Sequence, residues 1–226
     1  MSVLVIAAHP DDEVLGCGGT IARLAGEGRA VCIAILGEGV TSRYAQREEA
    51  DQSAKHELQN RAKEAAKLLG VADLLTYQLP DNRFDTLPLL DIVKIVEQLI
   101  DRIHPGVIYT HHGGDLNIDH SITFRAVLTA TRPLPGCQVK EIYSFEVPSS
   151  TEWAFHQLQP VFRPNVFVDI SATLATKIQA AQAYESERRE SPHPRSAEAL
   201  QAIARRWGSV AGCEAAEAFE LIRIIR

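Results

Sequence analysis

An apolar run, Val3-Leu4-Val5-Ile6-Ala7, breaks into His9-Pro10-Asp11-Asp12-Glu13, and further along the chain Thr110 to His120 reads THHGGDLNIDH. Both segments gather imidazoles and carboxylates where strand-like sequence ends. Imidazole and carboxylate donors with positions left open to water describe a catalytic zinc site, or one for another first-row divalent metal, and such ligands need not be close in sequence. His9 and Asp12 offer two ligands and His120 a third. Of the adjacent carboxylates, one then binds metal while Asp11 stays free to take a proton from water. Each segment also has a plainer reading. HPDDE is a Pro-centred turn leading into an acidic helix N-terminus, and Asp119-His120 is a helix cap followed by a surface histidine. The metal reading gains from coincidence, because both segments fall at strand ends on the same predicted edge of a sheet.

The elements that must position these groups follow from the hydrophobic pattern. Strands are expected at Val3–Ala7, Ala30–Leu36, Leu74–Tyr77, Val107–Tyr109, Glu141–Phe145 and Asn165–Ile170. Between and after them, helices are expected at Gly19–Ala25, Ala45–Leu69, Leu87–Ile103, Asp119–Thr131, Thr173–Ser186 and Ser196–Trp207. Unbroken apolar strands alternating with amphipathic stretches are the rhythm of a mainly parallel sheet covered by helices on both faces. In such sheets ligands collect beyond the carboxyl ends of the strands, which is where HPDDE and THHGGDLNIDH lie. The Pro-rich bends at 133–135 and 192–194 read as loops within one domain rather than linkers.

Composition narrows the setting. The 226 residues are 46% hydrophobic and 23% charged, with a formal net charge of −6 and no basic block, so nucleic acid and anionic membranes are not expected partners. No apolar run approaches the roughly 20 residues of a membrane span, and no leader precedes Val3, so a cytoplasmic protein is expected. Cys17, Cys32, Cys137 and Cys213 are scattered without a C-x-x-C pair, which favours reduced thiols over a disulfide framework.

AHPDDE followed by GCGGT, with NIDH after the fourth strand, resembles the PIG-L/LmbE-like family of metal-dependent N-deacetylases, which includes enzymes acting on N-acetylglucosamine conjugates. EGVTSR, LPDNRFD, HPRSAEALQAIARRWG and AEAF extend the likeness over most of the chain. The resemblance implies one Rossmann-like α/β domain over residues 1–226, His9, Asp12 and His120 as zinc ligands, and Asp11 as general base. It further implies hydrolysis of the acetamide of a small amino sugar or glycoconjugate, and leaves homo-oligomerisation open. The rival reading is a non-catalytic nucleotide- or sugar-binding module with GCGGT as its binding loop; a metal hydrolase of a different amide or ester shares the site.

One departure matters. Several members of that family carry His-x-x-His where this chain has Asn117-Ile118-Asp119-His120, and the first histidine is a candidate for protonating the leaving amine. An amide has no useful acidity, though it can hydrogen-bond. The acid role passes to Asp11 itself or to another group, for which His112 and Asp115 in the same loop are the nearest candidates; the plainer reading is that both only shape the loop. Arg43, Asn82 and Arg83, in loops after the second and third strands, are read either as substrate contacts or as solvated surface groups, and His193 and Arg195 flank Pro194 in a turn that either closes over the site or, the more ordinary reading, lies on the surface. Glu217 is read either as reaching the site or as a helix-surface carboxylate. GCGGT is read as close helix-to-sheet packing in preference to a phosphate cradle, and Trp153, Phe155 and Trp207 as core or interface aromatics.

Overall fold

Val3–Ala7, strand β1, is buried at every position because helices cover both of its faces. Its odd-numbered side chains join one apolar cluster and its even-numbered ones another, as the two-residue period of a strand requires. Each such Val, Leu or Ile contributes ~1.5–3 kcal/mol by leaving water. The computed structural model describes residues 1–71 and 73–226.

The described residues form one seven-stranded sheet. It contains β1, β2 (Val31–Gly37), β3 (Asp73–Leu79), β4 (Val107–His111), β5 (Glu141–Phe145), β6 (Val166–Asp169) and β7 (Ala216–Ile224) in the order β3-β2-β1-β4-β5-β7-β6. The first five strands pair in parallel, and β7 runs antiparallel to both β5 and β6. The helices are α1 (Asp12–Gly26), α2 (Gln52–Leu68), α3 (Leu89–Ile103), α4 (Ile118–Ala130), α5 (Leu174–Ala183) and α6 (Ala197–Ala211). Residues of α1, α2, α5 and α6 enter the apolar cluster on one face of the sheet, and residues of α3 and α4 the cluster on the other. The fold is therefore the α/β class expected. All four cysteines are free, and no helix among the described residues is long and apolar enough to cross a membrane.

Three boundaries depart from the sequence reading in ways that affect the site. Helix α1 starts at Asp12, so the GCGGT segment lies inside it. A Cβ at Gly16 would stand 2.2 Å from the Phe145 ring and one at Gly19 2.7 Å from Ile170, so these glycines serve close helix-to-sheet packing. The helix expected from Ala45 begins at Gln52, behind an Asp51 cap that accepts from the Ser53 N–H; short 3-10 turns occupy Thr41–Arg43 and Arg47–Glu49. The last segment, AEAFELIRI, is strand β7.

Helix α1 also carries a kink at Cys17 (φ −146°, ψ 23°). Beyond it, the N–H groups of Gly19 and Thr20 donate to the two oxygens of Glu217 at 2.9 and 2.7 Å. Lys177 of α5 pairs with the same carboxylate at 2.6 Å and donates to the Leu15 carbonyl at 2.8 Å. Glu217 thus neither reaches the cleft nor lies on a helix surface. It fills, from β7, the anion-accepting position that GCGGT creates.

Candidate active site

The chain leaves β1 toward β2 and β3 and then returns to the other side of β1 as β4, which places the switch point between β1 and β4. A crevice opens at such a point beyond the carboxyl ends of the strands. His9 follows β1, Asp12 opens α1, and His120 lies in the first turn of α4, reached from β4. Their ligand atoms lie within 4.8 Å of one another. Asp12 Oδ2 is the hub: it lies 3.2 Å from His9 Nδ1 and 3.1 Å from His120 Nε2, and accepts the His9 backbone N–H at 2.9 Å.

Further carboxylates orient the imidazoles. Asp119, fully buried, takes His9 Nε2 at 2.9 Å and the Phe84 N–H at 2.9 Å, leaving His9 Nδ1 toward Asp12. Asp115 lies 3.1 Å from His120 Nδ1 and accepts from Ser150, from Thr151 at 2.6 Å and from the Asn117 N–H at 2.8 Å. Burial opposes its charge, but the contacts with His120, Ser150 and Thr151 hold its pKa down to about 2. Held by Ser150, Thr151 and the Asn117 N–H, Asp115 is placed to orient His120 and, unlike Asp11, does not line the cleft in which the expected acid would work.

The electrostatics favour a cation. Burial lowers the affinity of both imidazoles for protons, yet the surrounding carboxylates outweigh it: Asp119 and Asp12 hold His9 well above its ordinary value, and Asp12 and Asp115 raise His120 to about 9. Although His120 lies 3.1 Å from two carboxylates, neither ring nitrogen makes a hydrogen bond of acceptable angle. A buried Nε2 without such a partner, facing the carboxylate hub, fits a metal that takes the place of its proton, with Nδ1 left toward Asp115. His9, Asp81 and Asp119 form a second close group, with Asp81 Oδ1 3.3 Å from His9 Nε2. There, however, Asp119 is already satisfied by His9 and Phe84, and Asp81 by Ser42 at 2.6 Å.

His9, Asp11, Asp12, Asp81, Asn117 and Arg195 line a cleft of about 120 Å³; His120 is buried against Asp12 behind it. Asp11 is buried and pairs with Arg195 at 2.9 Å. Burial raises its pKa well above the carboxylate range, and Arg195 opposes that rise. Asn117 caps α4, accepting the Asp119 N–H at 2.9 Å, while its amide donates to Asn82 Oδ1 at 2.9 Å. Asn82 and Arg43 also line the cleft, and Arg43 is clamped to Glu187 at 2.6 Å.

Three expected residues are placed elsewhere. His112 is buried with Nδ1 2.8 Å from Glu220 and Nε2 2.7 Å from the Pro160 carbonyl, so neither nitrogen is free for a substrate. Arg83 is exposed and lies outside the lining. His193 packs edge-on against Trp153 and accepts the Arg195 N–H at 3.1 Å; Arg195, two residues on, is the group that enters the cleft. Trp153 and Phe155 are surface aromatics, not core. Missed by sequence reasoning were Asp81 in LPDNRFD and the orienting role of Asp119. His111 was missed too: its Nε2 accepts the Ala8 N–H at 2.8 Å, and its residue type alone carries no signal for that task.

The fold and its donor cluster define an α/β protein with a candidate divalent-metal centre at the switch point. Residues 4–131 match the profile of PIG-L, described as GlcNAc-PI de-N-acetylase, and the chain belongs to that family. Similar proteins include an uncharacterized deacetylase, YaiS, of Escherichia coli K12, 29% identical over 192 residues covering 81% of this chain and 90% of that protein. A probable N-acetyl-alpha-D-glucosaminyl L-malate deacetylase 2 of Bacillus cereus is 28% identical over 194 residues, 82% of this chain and 83% of that protein. A 4-oxalmesaconate hydratase of Pseudomonas putida is 26% identical over 201 residues, 80% and 72% of the two chains. Among solved structures, a conserved protein from Thermus thermophilus superposes with a TM-score of 0.77 at 25% identity, covering 100% of this chain and 96% of its own.

Proposed function

We propose that this protein is a zinc-dependent N-deacetylase that removes the acetyl group from a small N-acetylated amino sugar or glycoconjugate. The observation that carries the reading is the convergence of His9, Asp12 and His120 beside the separate carboxylate of Asp11 at one cleft. Family membership and the deacetylases among the relatives support it. His9, Asp12 and His120 are the proposed ligands. When bound there, a divalent metal supplies Lewis-acid polarisation of a carbonyl and acidifies water.

Asp11 is the proposed base. Arg195 engages its Oδ2, and among the described residues no hydrogen-bond donor reaches Oδ1, which is left to accept a proton from the attacking water. The departing nitrogen must be protonated as the C–N bond breaks, because an amide anion is a poor leaving group. Asn117 lacks an acidic proton and is spent on capping α4 and bridging to Asn82. His112 is bound on both nitrogens elsewhere. Asp11 is therefore the proposed acid as well, handing on the proton it has just accepted. Ser42, Asp81, Asn82 and Asn117 form one hydrogen-bonded rim suited to sugar hydroxyls.

The reading is tested by metal analysis together with acetate release from N-acetylated sugars, free, nucleotide-linked and lipid-linked, with added zinc. Stoichiometric metal and acetate release are expected. Hydration of an unsaturated acid is the second reading, because it needs no leaving-group acid and a hydratase stands among the relatives. Metal loading without acetate release from any N-acetylated sugar would favour it. Absence of metal after reconstitution would return the chain to a non-catalytic binding module.

A further inference from the structure

Asp11 has φ 101° and ψ −28°, a left-handed conformation that a non-glycine residue keeps only where its surroundings impose it. Asp11 stands at the N-cap of α1, where its carbonyl accepts the Val14 and Leu15 N–H groups at 3.0 and 2.9 Å while its side chain makes no capping bond and is left to other partners. One holding contact is local, to Glu13 in the first turn of α1, and the others come from far along the chain, from Tyr184 behind Glu13 and from Arg195. The Asp11 backbone N–H donates to Glu13 Oε2 at 3.1 Å, and Glu13 Oε1 accepts from the buried Tyr184 hydroxyl, just beyond α5, at 2.6 Å. Its carboxylate accepts from Arg195 Nη1 at 2.9 Å. The guanidinium is itself anchored, for Arg195 Nε donates to Ser149 Oγ at 2.7 Å and the Pro148 carbonyl at 3.3 Å.

We infer that Arg195 is a positioning residue for Asp11, fixing the orientation of the proposed base through a bridge to the loop after β5, while Glu13 and Tyr184 fix its backbone. The inference rests on the deacetylase reading. Arg195 takes no part in proton transfer. Its planar fork lets Nε hold Ser149 while Nη1 holds Asp11, which the single ammonium of lysine cannot reproduce in the same geometry. It touches only one oxygen of Asp11, so it orients the carboxylate without blocking it. Misplacement of a reacting group by about 1 Å costs on the order of 100-fold in rate, and that is the loss expected when the bridge is cut.

The test compares wild type with R195A, R195K and Y184F in bound metal, kcat and KM for acetate release from N-acetylglucosamine and N,N′-diacetylchitobiose. R195A is expected to keep its metal and its KM while kcat falls about 100-fold. Added guanidinium ion, well below denaturing concentrations, should restore part of the loss, and R195K should lie between the two. A purely structural arginine would not show rescue confined to kcat. Y184F should lower kcat with metal retained, and with R195K it carries the comparison if R195A does not fold. Wild-type kcat in R195A and Y184F, or an effect on KM alone, overturns the inference while leaving the deacetylase reading intact. A wild-type protein that loads metal yet releases no acetate from these and the other N-acetylated sugars overturns that reading and this inference with it.

Discussion

Replacing Glu217 with alanine strikes the joint between β7 and the kinked helix that carries the site. Glu217 is 4% exposed and answers three donors at once: the N–H groups of Gly19 and Thr20 and the Lys177 ammonium. Removing one partner of a buried ion pair leaves the other charge uncompensated, at a cost of about 3–5 kcal/mol. Two backbone N–H groups stranded at the kink push the loss toward the upper end of that range. For a chain of this length each kcal/mol corresponds to ~2–4 °C in melting temperature, so a loss of about 4 kcal/mol should lower Tm by roughly 8–16 °C. Thermal and urea unfolding of E217A, K177M and the double variant measure it. Because the damage in E217A is largely the orphaned ammonium, adding K177M should return a substantial part of the stability, appearing as coupling between the two sites. A loss below ~1 kcal/mol in E217A, or strictly additive single and double variants, would refute the argument that this carboxylate fills an internal anion site.

The other expectations concern the cleft. His120→Ala should lose most of the metal, since it removes one of three proposed protein ligands, and elemental analysis after reconstitution checks it. Asp11→Asn should retain metal while turnover falls about 10²–10⁴-fold, whereas Asp12→Asn should lose both; near-normal turnover in Asp11→Asn would remove Asp11 as base. Asp115→Asn, which disturbs the carboxylate behind His120, should weaken metal affinity by about 10–100-fold in a competition titration with a chelating dye. His112→Gln should leave turnover within about tenfold, ~1.4 kcal/mol of barrier, and a thousandfold fall with metal and fold intact and the alkaline limb of the pH profile abolished would make His112 the proton donor.

What was legible in the sequence was what is local. Strands β1 and β5 have the boundaries their apolar runs predict, and His9, Asp12 and His120 come together because parallel strands deliver their following loops to one edge. Less legible was anything decided by a partner distant in sequence. GCGGT is poor helix sequence by propensity, yet α1 runs through it because Phe145 and Ile170 demand close approach and Glu217 satisfies the N–H groups freed at Cys17. AEAFELIRI mixes charged and apolar residues without a clean period, and its insertion between β5 and β6 is a property of the assembled sheet. Arg195 in a Pro-flanked turn has the look of a surface arginine; only the fold sets it 2.9 Å from Asp11. His112 shows the converse, because a histidine in a polar loop invites a catalytic role that Glu220 and Pro160 take away.

The late position of β7 in the chain gives synthesis an order. When the polypeptide has grown through α4, residues 1–130, it already contains β1 to β4 and every candidate metal ligand. It still lacks Tyr184, Arg195 and Glu217, the groups that fix Asp11 and the kink of α1. A nascent chain at that length holds the proposed metal donors but none of the distant contacts to the proposed base. Chains emerge N-terminal end first, so the proposed ligands are synthesised before the groups that hold the proposed base. Truncation after α4 therefore divides the molecule between the proposed ligands on one side and the groups that hold Asp11 and the kink of α1 on the other.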